Sequence, residues 1–201
     1  MFDGLYAVVM SGSLIGIFLQ VVPITFLVGL VYAIYRLVKI RKRELSVSWG
    51  AEIMRWLFVC YLTGLINLVL VPRNFWTYIW FYLYNGYSGG ELDSLFSGNF
   101  NFVPTFLKAQ TGEFTIGRWV RTMLEGNLII FLPMGFFLPF VSKTINTRNI
   151  FAFAVITPIA IELLQPVIGR SFDVDDVMMN FAGIIIGYFI TLGIKATAAK
   201  R

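Results

Sequence analysis

Hydrophobic positions in this chain gather into five blocks, roughly Ser13–Tyr35, Ile53–Val71, Met123–Val141, Ile150–Ile168 and Val177–Ile194. Each approaches the ~20 residues a helix needs to cross a ~30 Å hydrocarbon layer. An open strand in lipid would leave backbone amides and carbonyls unpaired, so the pattern predicts an all-α polytopic membrane helix bundle of about five spans. Between the second and third blocks lies NFWTYIWFYLYNGY (Asn74–Tyr87). Its rings carry apolar bodies and polar tips, which predicts an interfacial helix or re-entrant piece, with an extension of the second span as the alternative. Ser88–Asn101, rich in Gly, Ser and Asn, reads as a loop with Glu91 and Asp93 solvated. Helical spacing returns over Thr115–Glu125, where Arg118, Arg121 and Glu125 share a face at i, i+3 and i+7. No internal repeat and no soluble domain is evident. Residues 1–201 read as one membrane domain, with the first two spans and the aromatic and loop segment in 1–100 and the last three spans in 101–194.

Polar positions inside the last three blocks break the apolar pattern in an ordered way. Asp173, Asp176, Asn180, Gly183 and Gly187 follow one another at i, i+3, i+7, i+10 and i+14. At ~3.6 residues per turn they fall within a stripe of about 80°, with Asp175 well off it. The stripe is polar at its start and glycine deeper down, where the G-x-x-x-G pair allows close approach of another helix. In the fourth block Glu162 and Gln165 share a side, bracketed by Pro158 and Pro166, each able to bend the helix. Asn127 lies about a turn into the third block, with Pro133 and Gly135 below it and Arg118, Arg121 and Glu125 above. Three helices thus bring polar groups to a similar depth. A charge at the bilayer centre costs ~3 kcal/mol or more, and a shared, water-accessible cavity avoids much of that.

Each group also has a plainer reading. Asp173 and Asp176 could cap the fifth span, Glu162 and Arg170 could form a structural pair, and Gln165 and Asn127 could be interhelical glue. Their convergence favours a site built from Arg118, Arg121, Glu125, Asn127, Glu162, Gln165, Arg170, Asp173, Asp176 and Asn180.

Composition agrees with a membrane protein. Of 201 residues 58% are hydrophobic and 13% charged, and mean hydropathy is +0.77. Soluble domains carry about 25% charged residues. There is no His, which removes His-based acid–base chemistry and His metal ligands, and the lone Cys60 reads as a small core residue. The net charge of +5 does not point to nucleic acid, because the basic residues flank apolar spans. They lie in RLVKIRKRE (Arg36–Glu44) after the first span, at Lys143 and Arg148 after the third, and at Lys195, Lys200 and Arg201 in the tail. In a five-span chain these segments share one side. The positive-inside rule makes it the cytoplasm, with the N-terminus, the segment 72–122 and the loop Gly169–Asp176 outside. The first basic residue is Arg36, so the first block does not read as a typical cleaved signal peptide.

Four short elements occur in order. They are Asn101-Phe-Val-Pro104, then Gly126-Asn127-Leu-Ile-Ile-Phe-Leu-Pro133-Met-Gly135-Phe-Phe-Leu-Pro139, then Glu162-Leu-Leu-Gln165, and finally Gly169-Arg170-Ser-Phe-Asp173-Val-Asp175-Asp176-Val-Met-Met-Asn180-Phe-Ala-Gly183. Together they resemble the N-[LI]-x-P, G-N-x-x-x-F-x-P-x-G-F-x-x-P, E-x-x-Q and G-R-x-x-D-x-x-D-x-x-x-N-x-x-G elements of the VanZ-like family of bacterial integral membrane proteins, over about Asn101–Ile190. The resemblance implies a multi-pass protein of the bacterial cytoplasmic membrane, associated with resistance to glycopeptide antibiotics, teicoplanin especially. It implies no established reaction.

Three functional classes follow as expectations. In the first, a non-enzymatic envelope factor binds a lipid-linked headgroup, a wall precursor or a lipoglycopeptide. Arg118, Arg121 and Arg170 would face phosphate or carboxylate, and Asn127, Gln165 and Asn180 would give neutral hydrogen bonds. In the second, a membrane-embedded enzyme uses Glu162, Asp173 and Asp176 to hold a divalent cation such as Mg²⁺ and acts on a lipid phosphate or wall intermediate. A transporter or flippase ranks last, because no charged pathway continues inward.

Overall fold

The computed structural model describes residues 2–11, 13–72, 74–86, 94–111 and 117–199. Glu91 and Asp93 lie outside these residues, and of Arg118 only its backbone place is described. Five helical segments are long and apolar enough to cross a membrane: Ile15–Lys42, Trp49–Val69, Val120–Val141, Ile150–Ile168 and Val174–Ala198. The chain forms two compact units, residues 1–97 with 167–170, and residues 98–166 with 171–201.

The first unit holds α1 (Phe2–Met10), α2 (Leu14–Lys42), α3 (Trp49–Val69) and α4 (Phe75–Asn85). Ser13 starts α2 by accepting from the Gly16 N–H. The aromatic segment is a separate helix, not an extension of the second span. α3 closes at Leu70, and α4 opens after Asn74 and ends at Gly86 in the left-handed region (φ 76°). Indole N–H groups tie it down: Trp80 Nε1 donates to the Gln20 carbonyl at 3.2 Å and Trp76 Nε1 to Asn67 Oδ1 at 3.2 Å. Gln20, itself buried, donates onward to the Val9 carbonyl at 2.9 Å. Cys60 is half-buried and sits where a Cβ on Gly29 would meet its Sγ at 2.7 Å, so it acts as a small packing residue between α2 and α3.

The basic run after the first span is mostly not a loop. α2 continues through Lys42, so Arg36, Lys39, Arg41 and Lys42 are helical. The reason is visible at Arg36, which meets Glu52 of α3 in a two-point contact, Nε to Oε2 at 2.8 Å and Nη2 to Oε1 at 2.6 Å. Arg55 joins on the same carboxylate. Glu52 is buried and its one carboxylate accepts from both guanidinium groups. Removing one partner of a buried pair costs ~3–5 kcal/mol, and the partial exposure of both arginines reduces this. Glu52→Gln is therefore expected to lower stability in detergent by about 2 kcal/mol, and Arg36→Met combined with Glu52→Met to recover most of it. Equal melting temperatures for Glu52→Gln and wild type would show that the cluster contributes nothing.

The second unit holds β1 (Phe100–Asn101), α5 (Thr105–Gln110), α6 (Arg118–Val141), α7 (Ile150–Leu164) with the first half of the 3₁₀ turn (Gln165–Ile168) that continues it, β2 (Phe172–Asp173) and α8 (Val174–Ala198). α8 packs on both α6 and α7. It runs parallel to α6, and glycine sets the distance. A Cβ on Gly183 would lie 2.4 Å from the Leu128 carbonyl oxygen, one on Gly187 2.0 Å from that of Leu132, and one on Gly135 1.9 Å from that of Ile184. Gly135 is thus a contact point between the two helices. Further along, Thr191 donates to the Phe136 carbonyl at 2.8 Å and Lys195 Nζ to the Pro139 carbonyl at 2.6 Å, where a cation suits the end of α6. α7 runs antiparallel to α8 and buries Ile150, Ala154, Pro158 and Glu162, one stripe at intervals of four.

Candidate functional site

The geometry of the second unit brings the N-terminal ends of α6 and α8 and the C-terminal end of α7 to one end. Two short strands join them. β1 and β2 pair in parallel, Phe100 with Phe172 and Asn101 with Asp173. Phe100, Phe102 and Phe172 form a ring cluster with centroids 5.0–5.9 Å apart. Apolar rings alternate with Asn101 and Asp173, as the two-residue period of a strand requires. The expected loop Gly169–Asp176 is therefore shorter than its sequence suggests. Its second half is strand and the first turn of α8, and Asp175 and Asp176 are helical.

Asp173 is the hub. Its side chain caps α8, accepting from the Asp175 N–H at 2.9 Å, an arrangement worth about 1 kcal/mol. Its Oδ2 accepts from Asn101 Nδ2 at 3.1 Å, and Asn101 Oδ1 accepts from Lys108 Nζ at 2.8 Å. Its backbone N–H donates to Glu162 Oε2 at 3.2 Å. A hydrogen-bonded path thus runs from the half-buried Lys108 through Asn101 and Asp173 to Glu162, whose relative exposure is 1%. The carboxylate that caps α8 is thus also the one that Asn101 meets.

In the first turn of α8, Asp176 accepts from Asn127 Nδ2 of α6. The predicted stripe on α8 therefore does face α6, through Asp176 at its polar end and Gly183 and Gly187 below. Asn180, between them, is buried, and its Oδ1 has no hydrogen-bond donor among the described residues. A buried acceptor in that state costs ~1–3 kcal/mol. Gln165 is buried at the end of α7.

Arg121 and Glu125 are exposed on α6 and line an apolar groove rather than this network. Arg170 belongs to the first unit, where its guanidinium donates to the Leu68 carbonyl of α3. Among the described residues no three Asp, Glu or Cys side chains come together as a metal-holding group.

Sequence reasoning passed over three participants. Asp175, off the stripe, is buried and accepts from the Thr105 N–H at 2.9 Å, fixing the start of α5. Asn101 and Lys108 were not among the candidate side chains. The signal for Asn101 was its place in the first of the four ordered elements; for Asp175 it was a carboxylate within an apolar helix face. Asp175→Ala is expected to raise hydrogen exchange at Thr105 and through α5 while leaving the middle of α8 protected. Unchanged exchange at Thr105 would contradict that docking role.

A family model for VanZ/LLP1 matches residues 58–195. The chain belongs to the VanZ/LLP1 family. The match begins within α3 and ends near the end of α8, so it takes in the aromatic helix α4 as well as the last three spans. No curated protein and no solved structure matches this chain. A VanZ-like multi-pass membrane protein is thus the frame in which the polar network has to be understood.

Proposed function

We propose that this VanZ-like protein is a cell-envelope factor of the bacterial cytoplasmic membrane. In this reading the polar end of the second unit faces outward and binds the headgroup of a lipid-linked wall precursor or a lipoglycopeptide. The observation that carries it is two hydrogen-bonded sets, Asn101–Asp173–Glu162 and Asn127–Asp176, drawn from separated segments of the chain to one end of an apolar bundle. Polar groups inside membrane segments are costly, and they concentrate where a protein meets a ligand or an aqueous cavity. The unpartnered Asn180 Oδ1 adds an acceptor that a ligand donor could satisfy. The link to glycopeptides, teicoplanin especially, comes from the family. Teicoplanin bears an acyl chain and acts at the outer membrane surface on wall precursors.

The test is expression in a susceptible bacterial host. Teicoplanin susceptibility is expected to fall, with a smaller change for a glycopeptide lacking an acyl chain. Unchanged susceptibility to both, with the protein present in the membrane, would remove the resistance role.

A further inference from the structure

A separate feature of the second unit is a groove of about 350 Å³ beside α6, lined by Arg121, Leu124, Glu125, Leu128 and Ile129 with Met179 of α8. The α6 positions are spaced i, i+3, i+4, i+7 and i+8, so they form one continuous helix face about 12 Å long. A smaller hollow of about 130 Å³ shares Leu124 and Met179 and continues past Met178 and Phe106. The walls are almost wholly apolar, and methionine suits a flexible occupant of irregular shape. Arg121 stands at one end and Glu125 near the middle, and the smaller hollow also takes in Thr105 and Asp175. Arg121 lies in the first turn of α6, whose exposed amide groups add partial positive charge. Among the described residues Arg121 has no ion-pair partner. Glu125 is one turn deeper and repels an anion, which sets the level of a negative group at Arg121.

We propose that this groove holds one acyl chain of an anionic bilayer phospholipid, with the phosphate set against Arg121. The apolar track and Arg121 at its mouth, close to the N-terminus of α6, match the tail and the negative charge of such a lipid. A guanidinium offers a phosphate two parallel donors. The inference goes beyond the envelope role and holds for either orientation of the bundle.

The experiment is native mass spectrometry of the full chain from detergent containing equal amounts of phosphatidylglycerol and phosphatidylcholine with matched chains. The wild type is expected to retain phosphatidylglycerol roughly tenfold in preference. Arg121→Ala should abolish that preference, and Ile129→Trp, at an exposed groove position, should reduce retention of both lipids. Arg148→Ala, an exposed arginine at the opposite end of the bundle, should retain lipid as the wild type does. Equal retention of the two lipids by the wild type, or wild-type retention by both Arg121→Ala and Ile129→Trp, would overturn the proposal. So would a change of oligomeric mass in Ile129→Trp with lipid retention unaltered, which would assign the groove to a second copy. Drug susceptibility plays no part in this readout, so the lipid site and the envelope role can fail separately.

Discussion

Gly187→Leu is expected to leave no folded protein. The Cβ alone would stand 2.0 Å from the Leu132 carbonyl oxygen, and that oxygen belongs to backbone that cannot swing aside. Alanine at Gly135, Gly183 or Gly187 forces the same two helices apart by less. Each is expected to cost about 1–3 kcal/mol, as overpacking does, and pairs of them should depart from additivity because they share one contact. The comparison that isolates the cause is Gly126→Ala and Gly193→Ala. Both lie within the same two helices, and a Cβ at either meets nothing within 4 Å. There alanine should be neutral or stabilise by up to ~1 kcal/mol through helix propensity. Melting in detergent, followed by circular dichroism, checks the set. Similar losses at all five positions would mean that close approach of α6 and α8 does not hold the unit together.

Glu162→Gln is expected to separate function from folding. The glutamine keeps the size of the side chain and an acceptor for the Asp173 N–H, so the bundle should remain assembled. What it removes is the negative charge at the inner end of the path from Lys108. A hydrogen bond to a charged group is worth ~1.5–3 kcal/mol, so ligand affinity governed by that path should drop roughly tenfold or more. Teicoplanin susceptibility of the host should return to that of cells lacking the protein, with the amount in the membrane unchanged. Glu162→Gln with full protection would place the charge outside the proposed mechanism. Loss of the protein itself would identify Glu162 as a folding residue.

The five spans were legible because nothing but a long apolar run satisfies a bilayer. Their ends were harder to place. α2 extends over Arg36–Lys42 because its basic side chains reach Glu52 and the surface, and α8 begins near Asp173 because that carboxylate caps it. Helical period alone exposed the stripe Asp176–Asn180–Gly183–Gly187, and its pairing with Asn127 followed once α8 lay parallel to α6. The strand pair was hidden. Two residues of alternation, Phe100-Asn101 against Phe172-Asp173, are too few to stand out among twenty phenylalanines. The same gap hid Asn101 and Lys108. Glu52 was missed for another reason: its pairing depends on the rotation of α2 against α3, which neither helix reveals by itself.

The proposed role depends on which way the polar end of the last three helices faces. Cysteine labelling of intact cells decides it, in a Cys60→Ser background that removes the chain's one native thiol. Ser171 is exposed beside the hub residue Asp173, and Lys143 is exposed at the opposite end of the same unit. A membrane-impermeant maleimide is expected to label Ser171→Cys in intact cells and Lys143→Cys only after permeabilisation. The reverse pattern, Lys143→Cys labelled from outside and Ser171→Cys only once the cells are opened, would contradict an outward-facing site.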